Sequence, residues 1–355
     1  MSRRLTVWIV VSQIVKATKI TIMLNGKSIL VTGGTGSFGR RFVEVALARY
    51  PALRRVIIFS RDELKQHLMA QTTSGANVEY VIGDVRDRHR LLSVASDVDI
   101  IIHAAALKHV TTCERNVGEA IQTNLLGAVN VVECAIATRV SRVVALSTDK
   151  AVAAANLYGA TKFAAERVFV AANASSRADL AFGLVRYGNV WGSRGSVVPT
   201  FVSKIRRGVP LSITDTRMTR FSITLDESVD AVLYALEHMS GGEVFIPKCA
   251  SYRLVDLVEA IAPGQPFEIA GIRPGEKIHE ELLTSTEARL TLELAKYFVI
   301  VPASLTSDAF ERFFALGGAA CPEGFTYASG NNTNWLTMTD LRQLIEEHIK
   351  LTHEN

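Results

Sequence analysis

Ser147-Thr148-Asp149-Lys150 sets hydroxyls, a carboxyl and an amine side by side, and Tyr158 and Lys162 follow at a spacing of four residues. On a helix that spacing puts phenol and ammonium on one face. An ammonium and a bound oxidised dinucleotide stabilise a phenolate, so Tyr158 can accept a proton from a hydroxyl while the neighbouring carbon loses hydride. Lys162 can also hold the nicotinamide ribose. Thr148 can hydrogen-bond a reacting oxygen, while Asp149 and Lys150 supply the two proton-transfer groups that an elimination needs. The alternative for Thr148 to Lys150 is a helix cap with a surface ion pair.

This chemistry needs a cofactor, and Thr32-Gly33-Gly34-Thr35-Gly36-Ser37-Phe38-Gly39 has the spacing to hold one. It follows a strand pattern, opens a helix pattern, and satisfies both G-x-G-x-x-G and the wider T-G-x-x-G-x-x-G. Gly34 and Gly36 permit the tight turn and close approach to a pyrophosphate, and Gly39 lets helix and strand pack. At the end of the second strand, where NAD enzymes place a carboxylate, stand Ser60 and Arg61. Arg61 can grip a 2′-phosphate with two hydrogen bonds and Ser60 can add another, which favours NADP. Two alternatives stay open: a solvated Arg61 ahead of an N-capping Asp62, or Asp62 itself at the ribose. Asp84 lies where an adenine-amine acceptor is expected, though it is also good turn chemistry.

The elements that must position these groups alternate from Ser28 onward: short β-branched runs, then amphipathic stretches. Strands are expected over Ser28 to Thr32, Arg55 to Ser60, Val78 to Ile82, Asp99 to His103, Arg142 to Leu146 and Phe182 to Arg186. Helices are expected over Gly39 to Arg49, Glu119 to Ala137 and Tyr158 to Ala172. The pattern predicts an α/β fold: a Rossmann-type, doubly wound parallel sheet with a smaller C-terminal substrate-binding lobe. The expected boundaries are an extension over 1–22, an NADP-binding domain over 23–188 and, over 189–355, a mainly substrate-binding lobe interleaved with it. The extension is apolar only from Leu5 to Val15, short of the roughly 20 residues of a spanning helix, and lacks a cleavage site.

Composition narrows the class. The 355 residues are 48% hydrophobic and 21% charged, with a net charge of +4 and no basic stripe, so neither disorder nor a nucleic-acid partner is expected. Cys113, Cys134, Cys249 and Cys321 match neither a disulfide framework nor metal spacing; reduced thiols in a cytoplasm suit them, and no metal is expected.

These motifs resemble those of the extended short-chain dehydrogenase/reductases, and closely those of the family of configuration-inverting UDP-N-acetylglucosamine 4,6-dehydratases of pseudaminic acid synthesis. The likeness runs from Leu24 nearly to the end. It includes Thr32 to Gly39, Ser60 to Lys65, Gly83 to Asp87, Ala104 to Val110, Ser147 to Lys150, Asn156 to Lys162 and Arg186 to Asn189. Gly192 to Pro199, Ile213 to Asp215, Arg217-Met-Thr-Arg-Phe221, Gly271-Ile-Arg-Pro-Gly-Glu-Lys277, Asn331-Asn332 and Trp335-Leu336 complete it. Departures are Ala153-Ala154 in place of Asn-Pro, Thr111 and Val117 in place of prolines, and the unusual Trp191 and Ser222. They bear on loop geometry and turnover more than on reaction type.

The resemblance implies an NADP-dependent lyase of the dehydratase type that converts UDP-N-acetylglucosamine into the C5-inverted 4-keto-6-deoxy sugar, without a membrane and as a homo-oligomer, a hexamer among the forms it suggests. It implies a cofactor site of Gly33, Gly36, Ser37, Phe38, Gly39, Ser60, Arg61, Asp62, Lys65, Asp84, Val85, Ala104 and Lys108 with Tyr158 and Lys162. It implies UDP-sugar contacts from Lys108, Ser147, Asn189, Arg194, Thr214, Arg273 and Glu276. Retaining relatives carry Thr-Asp-Glu where this chain has Thr148-Asp149-Lys150, so the C5 base changes from Glu to Lys. Tyr158 then takes the C4 hydroxyl proton as hydride leaves, Lys150 takes the C5 proton, and Asp149 protonates the departing C6 hydroxyl. Hydride returns to C6, and C5 is reprotonated on the opposite face. Such a base must be neutral Lys150 and such an acid an upward-shifted Asp149. A sugar 4-epimerase or reductase would share the cofactor site and Tyr158-Lys162 without needing Asp149-Lys150, and a non-catalytic NADP-binding regulator would be expected to have lost these groups.

Overall fold

The computed structural model describes residues 24–73, 75–193, 195–303 and 306–353; the expected extension over 1–22 lies outside them. A ten-stranded sheet runs through the molecule. Its parallel part holds β1 (Ser28–Thr32), β2 (Arg55–Ser60), β3 (Val78–Ile82), β4 (Ile100–His103), β5 (Arg142–Thr148), β6 (Ala181–Tyr187) and β10 (Val244–Pro247), in the order β3-β2-β1-β4-β5-β6-β10. Beyond β10 the direction reverses. There β15 (Tyr297–Ile300), β14 (Thr291–Glu293) and β16 (Ala319–Ala320) continue the sheet antiparallel. Every residue of β1 and of β4 is buried, as parallel strands covered on both faces require.

Helices α1 (Ser37–Arg49), α2 (Glu63–Thr72), α3 (Arg88–Ala95), α4 (Val110–Arg115), α5 (Val117–Ala120), α6 (Gly127–Ala137) and α7 (Leu157–Ala172) connect these strands. Side chains written into the sequence start several of them: Asp62, Asp87 and Asn156 cap α2, α3 and α7. The helix expected over Glu119 to Ala137 begins at Val117 and contains a π turn at Ile121–Leu126. Stretch 117–137 has the length and apolarity of a membrane span, but Ala128, Val131, Cys134 and Ala135 bury its inner face in the core. Strands β5 and β6 run past their expected ends, to Thr148 and Tyr187, so they deliver the chemistry-bearing residues directly.

The later chain contributes β7 (Asn189–Val190), α8 (Val197–Arg206), β8 (Leu211–Ile213), β9 (Thr219–Ile223), α9 (Leu225–His238), β11 (Ala250–Arg253), α10 (Leu254–Ile261), β12 (Phe267–Ile269), β13 (Glu281–Leu283), α11 (Ser285–Ala288), α12 (Thr306–Ala315), β17 (Tyr327–Ala328) and α13 (Met338–His353). Helix α9, started by a Thr224–Glu227 capping box, covers the large sheet through Val229, Val232, Leu233 and Leu236. A second apolar core gathers Phe201, Ile213, Met218, Leu257, Leu341 and Ile345 from α8, β8, the turn before β9, α10 and α13. Three small sheets carry the rest: β11-β9-β7, β12-β8 and β13-β17.

The turn from β1 into α1 is a tight junction. Gly33 has φ of 66°, and a Cβ on Gly39 would lie 2.5 Å from the Gly34 carbonyl oxygen. Because that obstacle is backbone, Gly39→Ala must move α1 off the strand. We predict a loss of about 1–3 kcal/mol, the usual range for overpacking, measured by urea denaturation.

Candidate active site

Strands β1 and β4 lie side by side at the sheet's topological switch, where connections leave in opposite directions and a crevice opens beyond the strand ends. The cleft there measures about 810 Å³. Gly36 caps α1 without any side-chain hydrogen bond, so the first helical amides are left for an anion. Below, Thr32 and His103 join the two strands at 2.8 Å; burial, aided by Lys162, lowers the His103 pKa to about 3, keeping the ring neutral. These glycines, the uncapped helix start and buried Lys162 fit a dinucleotide.

At the far corner Ser60 is buried and accepts from Gln66 Nε2 at 3.1 Å, while Arg61 is half exposed and faces Asp84 at 3.6 Å. Asp62 accepts from the Lys65 backbone at 3.0 Å and from Lys65 Nζ at 2.5 Å, so the carboxylate that rivalled Arg61 for the ribose serves as the helix cap. Arg86 grips Asp84 at 2.6 and 2.8 Å; although burial opposes it, this holds the Asp84 carboxyl below its ordinary range.

Strand β5, the 3₁₀ turn at Asp149–Ala151 and the first two turns of α7 carry the candidate reacting groups. Thr148 Oγ1 donates to Asp149 Oδ1 at 2.7 Å, and Lys150 Nζ donates to the same oxygen at 3.0 Å. The other Asp149 oxygen is buried without a partner. Burial raises the Asp149 pKa, as an acid at this place requires. Lys150 departs from expectation. Burial disfavours its charge, but Asp149 and, at 3.3 Å, Glu280 outweigh it, and the ammonium is held rather than released. Tyr158 is raised to about 12 by burial, tempered by Lys150 and a hydrogen bond with Thr148. Burial lowers Lys162 to about 8, against the pull of Glu166, and Lys162 Nζ donates to the Leu146 carbonyl at 2.6 Å.

The loop ahead of β13 closes over this cluster. Lys277 Nζ donates to the Val152 carbonyl at 2.5 Å, and Asn156 Nδ2 to the Gly275 carbonyl at 2.9 Å. Underneath, fully buried Arg186 grips Glu166 at 2.7 and 3.0 Å and Glu287 at 2.9 Å, which ties β6 to α7 and α11. Asn124 in the π turn accepts from the Leu107 backbone at 2.8 Å and donates to Thr161 at 3.1 Å, pinning the loop after β4 to α7. Trp191, past β7, donates to the Leu344 carbonyl at 3.1 Å and so docks its loop on α13.

The cleft gathers Gly33, Gly36, Ser37, Phe38, Gly39, Ser60, Arg61, Asp62, Lys65, Asp84, Val85, Ala104 and Lys108 along one arm. Thr148, Asp149, Lys150, Tyr158, Lys162, Asn189, Arg273 and Glu276 line the remainder. Ser147 also lines it, although its hydroxyl is committed to Glu166 at 2.5 Å. Thr214 is not brought there: buried at the end of β8, it turns its hydroxyl to Met218 Sδ at 2.9 Å. Arg194 lies outside the described residues. Sequence reasoning missed Glu280, Arg220 and Asn124. Arg220 sits within motif Arg217 to Phe221, which offered a signal, whereas Glu280 follows its motif by three residues and offered none.

A family described as polysaccharide biosynthesis protein matches residues 29–302. The chain is 48% identical over 329 residues to a UDP-N-acetylglucosamine 4,6-dehydratase (inverting) of Campylobacter jejuni, covering 91% of this chain and 98% of that one. It is 37% identical over 332 residues to a UDP-glucose 4-epimerase of Rickettsia canadensis, covering 91% and 96%. Among solved structures it is similar to Pen from Bacillus thuringiensis, with a TM-score of 0.82 and 35% identity over 92% of this chain and 99% of that one.

The loop between Lys150 and α7 carries a cost of its own. Ala153, exposed, has φ of 41°, in the left-handed region that alanine disfavours and asparagine tolerates. Ala153→Asn should therefore stabilise the protein by about 1 kcal/mol, read as a rise in melting temperature.

Proposed function

The chain belongs to the family of polysaccharide biosynthesis proteins, and from that membership and the cleft's chemistry we propose that it is a nucleotide-sugar 4,6-dehydratase that acts on UDP-N-acetylglucosamine with inversion at C5. One observation carries the reading: buried Asp149, with a side chain 1% exposed, lies 3.0 Å from Lys150 Nζ in the cleft that also holds Tyr158 and Lys162. A 4-epimerase, the activity named for the Rickettsia relative, has use for the second pair but none for an acid and an amine that share a proton.

A nicotinamide cofactor held by Gly33, Gly36, Arg61 and Lys162 would supply the hydride acceptor for C4 and the hydride donor for C6. Tyr158 accepts the proton of the C4 hydroxyl, and Lys162 helps hold the phenolate beside it. The 4-keto group acidifies C5–H. The working form of the pair is Lys150 neutral and Asp149 protonated, which differs from the resting ion pair by one proton moved along their hydrogen bond. Lys150 then takes the C5 proton, the C–H electrons form the C5=C6 bond, and the C6 hydroxyl leaves as water with the proton of Asp149. That step restores the ion pair. Incubation with UDP-N-acetylglucosamine in D₂O, followed by NMR, tests the reading: a 4-keto-6-deoxy product with deuterium at C5 is expected, and an epimer alone would overturn it.

The finer inference is NADP rather than NAD, supported by Arg61 with Ser60 and Lys65 at the corner where a 2′-phosphate would take the place of Asp84 as partner of Arg61. Arg61→Ala should weaken NADP roughly 10- to 100-fold more than NAD, the loss expected for hydrogen bonds to a charged group, measured by titration calorimetry. Equal losses would remove the assignment.

Tyr158→Phe should stop oxidation altogether, leaving neither NADPH nor C5 exchange in a single turnover. Lys150→Ala should still form a little NADPH yet lose C5 deuterium incorporation and water release by roughly 10²- to 10⁴-fold. Asp149→Asn should retain some C5 exchange while departure of the C6 hydroxyl slows. Near-normal C5 exchange in the Lys150 variant would show that it is not the base.

A further inference from the structure

Lys150 has a second carboxylate that the reaction above does not use. Glu280 side-chain oxygen Oε1 lies 3.3 Å from Lys150 Nζ and 3.7 Å from Arg220 Nε, and the side chain is 5% exposed where it lines the cleft. It is also built in from behind: Ser329 Oγ accepts from the Glu280 backbone at 2.9 Å, and the Ser329 backbone donates to the Glu280 carbonyl at 2.7 Å. Arg220, from β9, is itself fixed by donating to the Thr219 and Ile278 carbonyls at 2.7 and 3.0 Å. A carboxylate held this firmly against an ammonium inside a reaction cleft is more than a surface partner.

Its use follows from the proton inventory of the proposed dehydration, on which this inference rests. Asp149 is the counter-ion of Lys150 only while it is ionised. Once it carries the proton destined for the C6 hydroxyl, it can no longer balance positive charge as that charge develops on Lys150 during C5 proton removal. Glu280 remains ionised through that interval because Arg220 faces it as well. We propose that Glu280 is a positioning residue of this site, the carboxylate that keeps the Lys150 amino group in place and balances its developing charge while Asp149 is protonated. No further proton moves: the C5 proton ends on Lys150, the Asp149 proton on the departing hydroxyl, and Glu280 and Arg220 keep their charges.

The prediction is a shift of the pH profile with a sign that the variants reverse. The groups facing Lys150 are Asp149 beside it in the chain, Tyr158 from α7, Arg220 from β9, Tyr252 from β11 and Glu280, with Lys277 next to Glu280. The active form of the Asp149–Lys150 pair holds one proton, so its rate profile is a bell whose two limbs belong to the pair. Removing the neighbouring anion makes both groups more acidic, whereas removing the neighbouring cation makes Lys150 less so. Glu280→Gln should move the limbs about one pH unit lower, with the rate at the optimum down roughly tenfold or more, and Arg220→Gln should move them upward.

C5 deuterium incorporation, followed by NMR across the pH range with NADP binding as the check of folding, reads both. Shifts of opposite sign support the assignment. Limbs that stay in place in a folded variant overturn it, even when its rate falls, because a merely structural loss lowers the plateau without moving the pH dependence. Should Glu280→Gln not fold, Glu280→Asp and Arg220→Gln decide: limbs kept by the former and moved by the latter support the proposal, and any other result overturns it. Wild-type protein that exchanges no C5 hydrogen at all would instead mark a failure of the dehydratase reading.

Discussion

Lys150 is the constraint around which the catalytic end of this molecule is arranged. Taking an ammonium out of water costs several kcal/mol, so the position is tolerable only with anionic partners at close range. One partner is its chain neighbour, Asp149 just past β5; the other, Glu280, comes from the approach to β13, with Arg220 of β9 balancing that second carboxylate. Three parts of the chain must be in place before the charge is compensated. The large sheet, the small sheet of β9 and the loop over the cleft are therefore bound to one another by electrostatics as well as by packing.

The same principle recurs one layer down. Arg186 is 1% exposed and meets Glu166 and Glu287, and Ser147 donates to the same Glu166 oxygen that Arg186 grips. This second group fixes the end of β5 against α7, which sets the distance from Thr148 and Asp149 to Tyr158 and Lys162. Hydrophobic packing alone allows small slides of strand against helix. Paired buried charges penalise them, because a displaced partner leaves an uncompensated charge.

Much of this was legible in the sequence, and the reason is locality. The glycine-rich turn, Ser60-Arg61, Thr148-Asp149-Lys150 and Tyr158-Lys162 each lie within a few residues, and each is placed by one strand end or one helix turn. The parallel strands follow from the same alternation, because each of the six β-branched runs became a strand of the large sheet, although edge strand β3 has no buried residue. What was not legible depends on long-range closure. Glu280 reaches Lys150 across 130 residues of chain, and Ser147 looked available to a ligand until the structure put Glu166 opposite it. The resting charge of Lys150 was only half legible: burial disfavours it, Asp149 beside it in the chain restores it, and the added pull of Glu280 comes from a segment that sequence does not connect to it.

The docking of Trp191 on α13 sets an order on the life of the chain. Leu341 and Ile345 complete the second core, and the Leu344 carbonyl holds the Trp191 indole, so α13 finishes the packing behind the loop after β7. A chain emerging from the ribosome can assemble β1 to β6, with its nucleotide turn and its Tyr158-Lys162 pair, while α13 is still in the exit tunnel. The loop after β7 thus depends on a helix 153 residues further along the chain, whereas the glycine turn and the Tyr158-Lys162 pair are placed by elements that form around them.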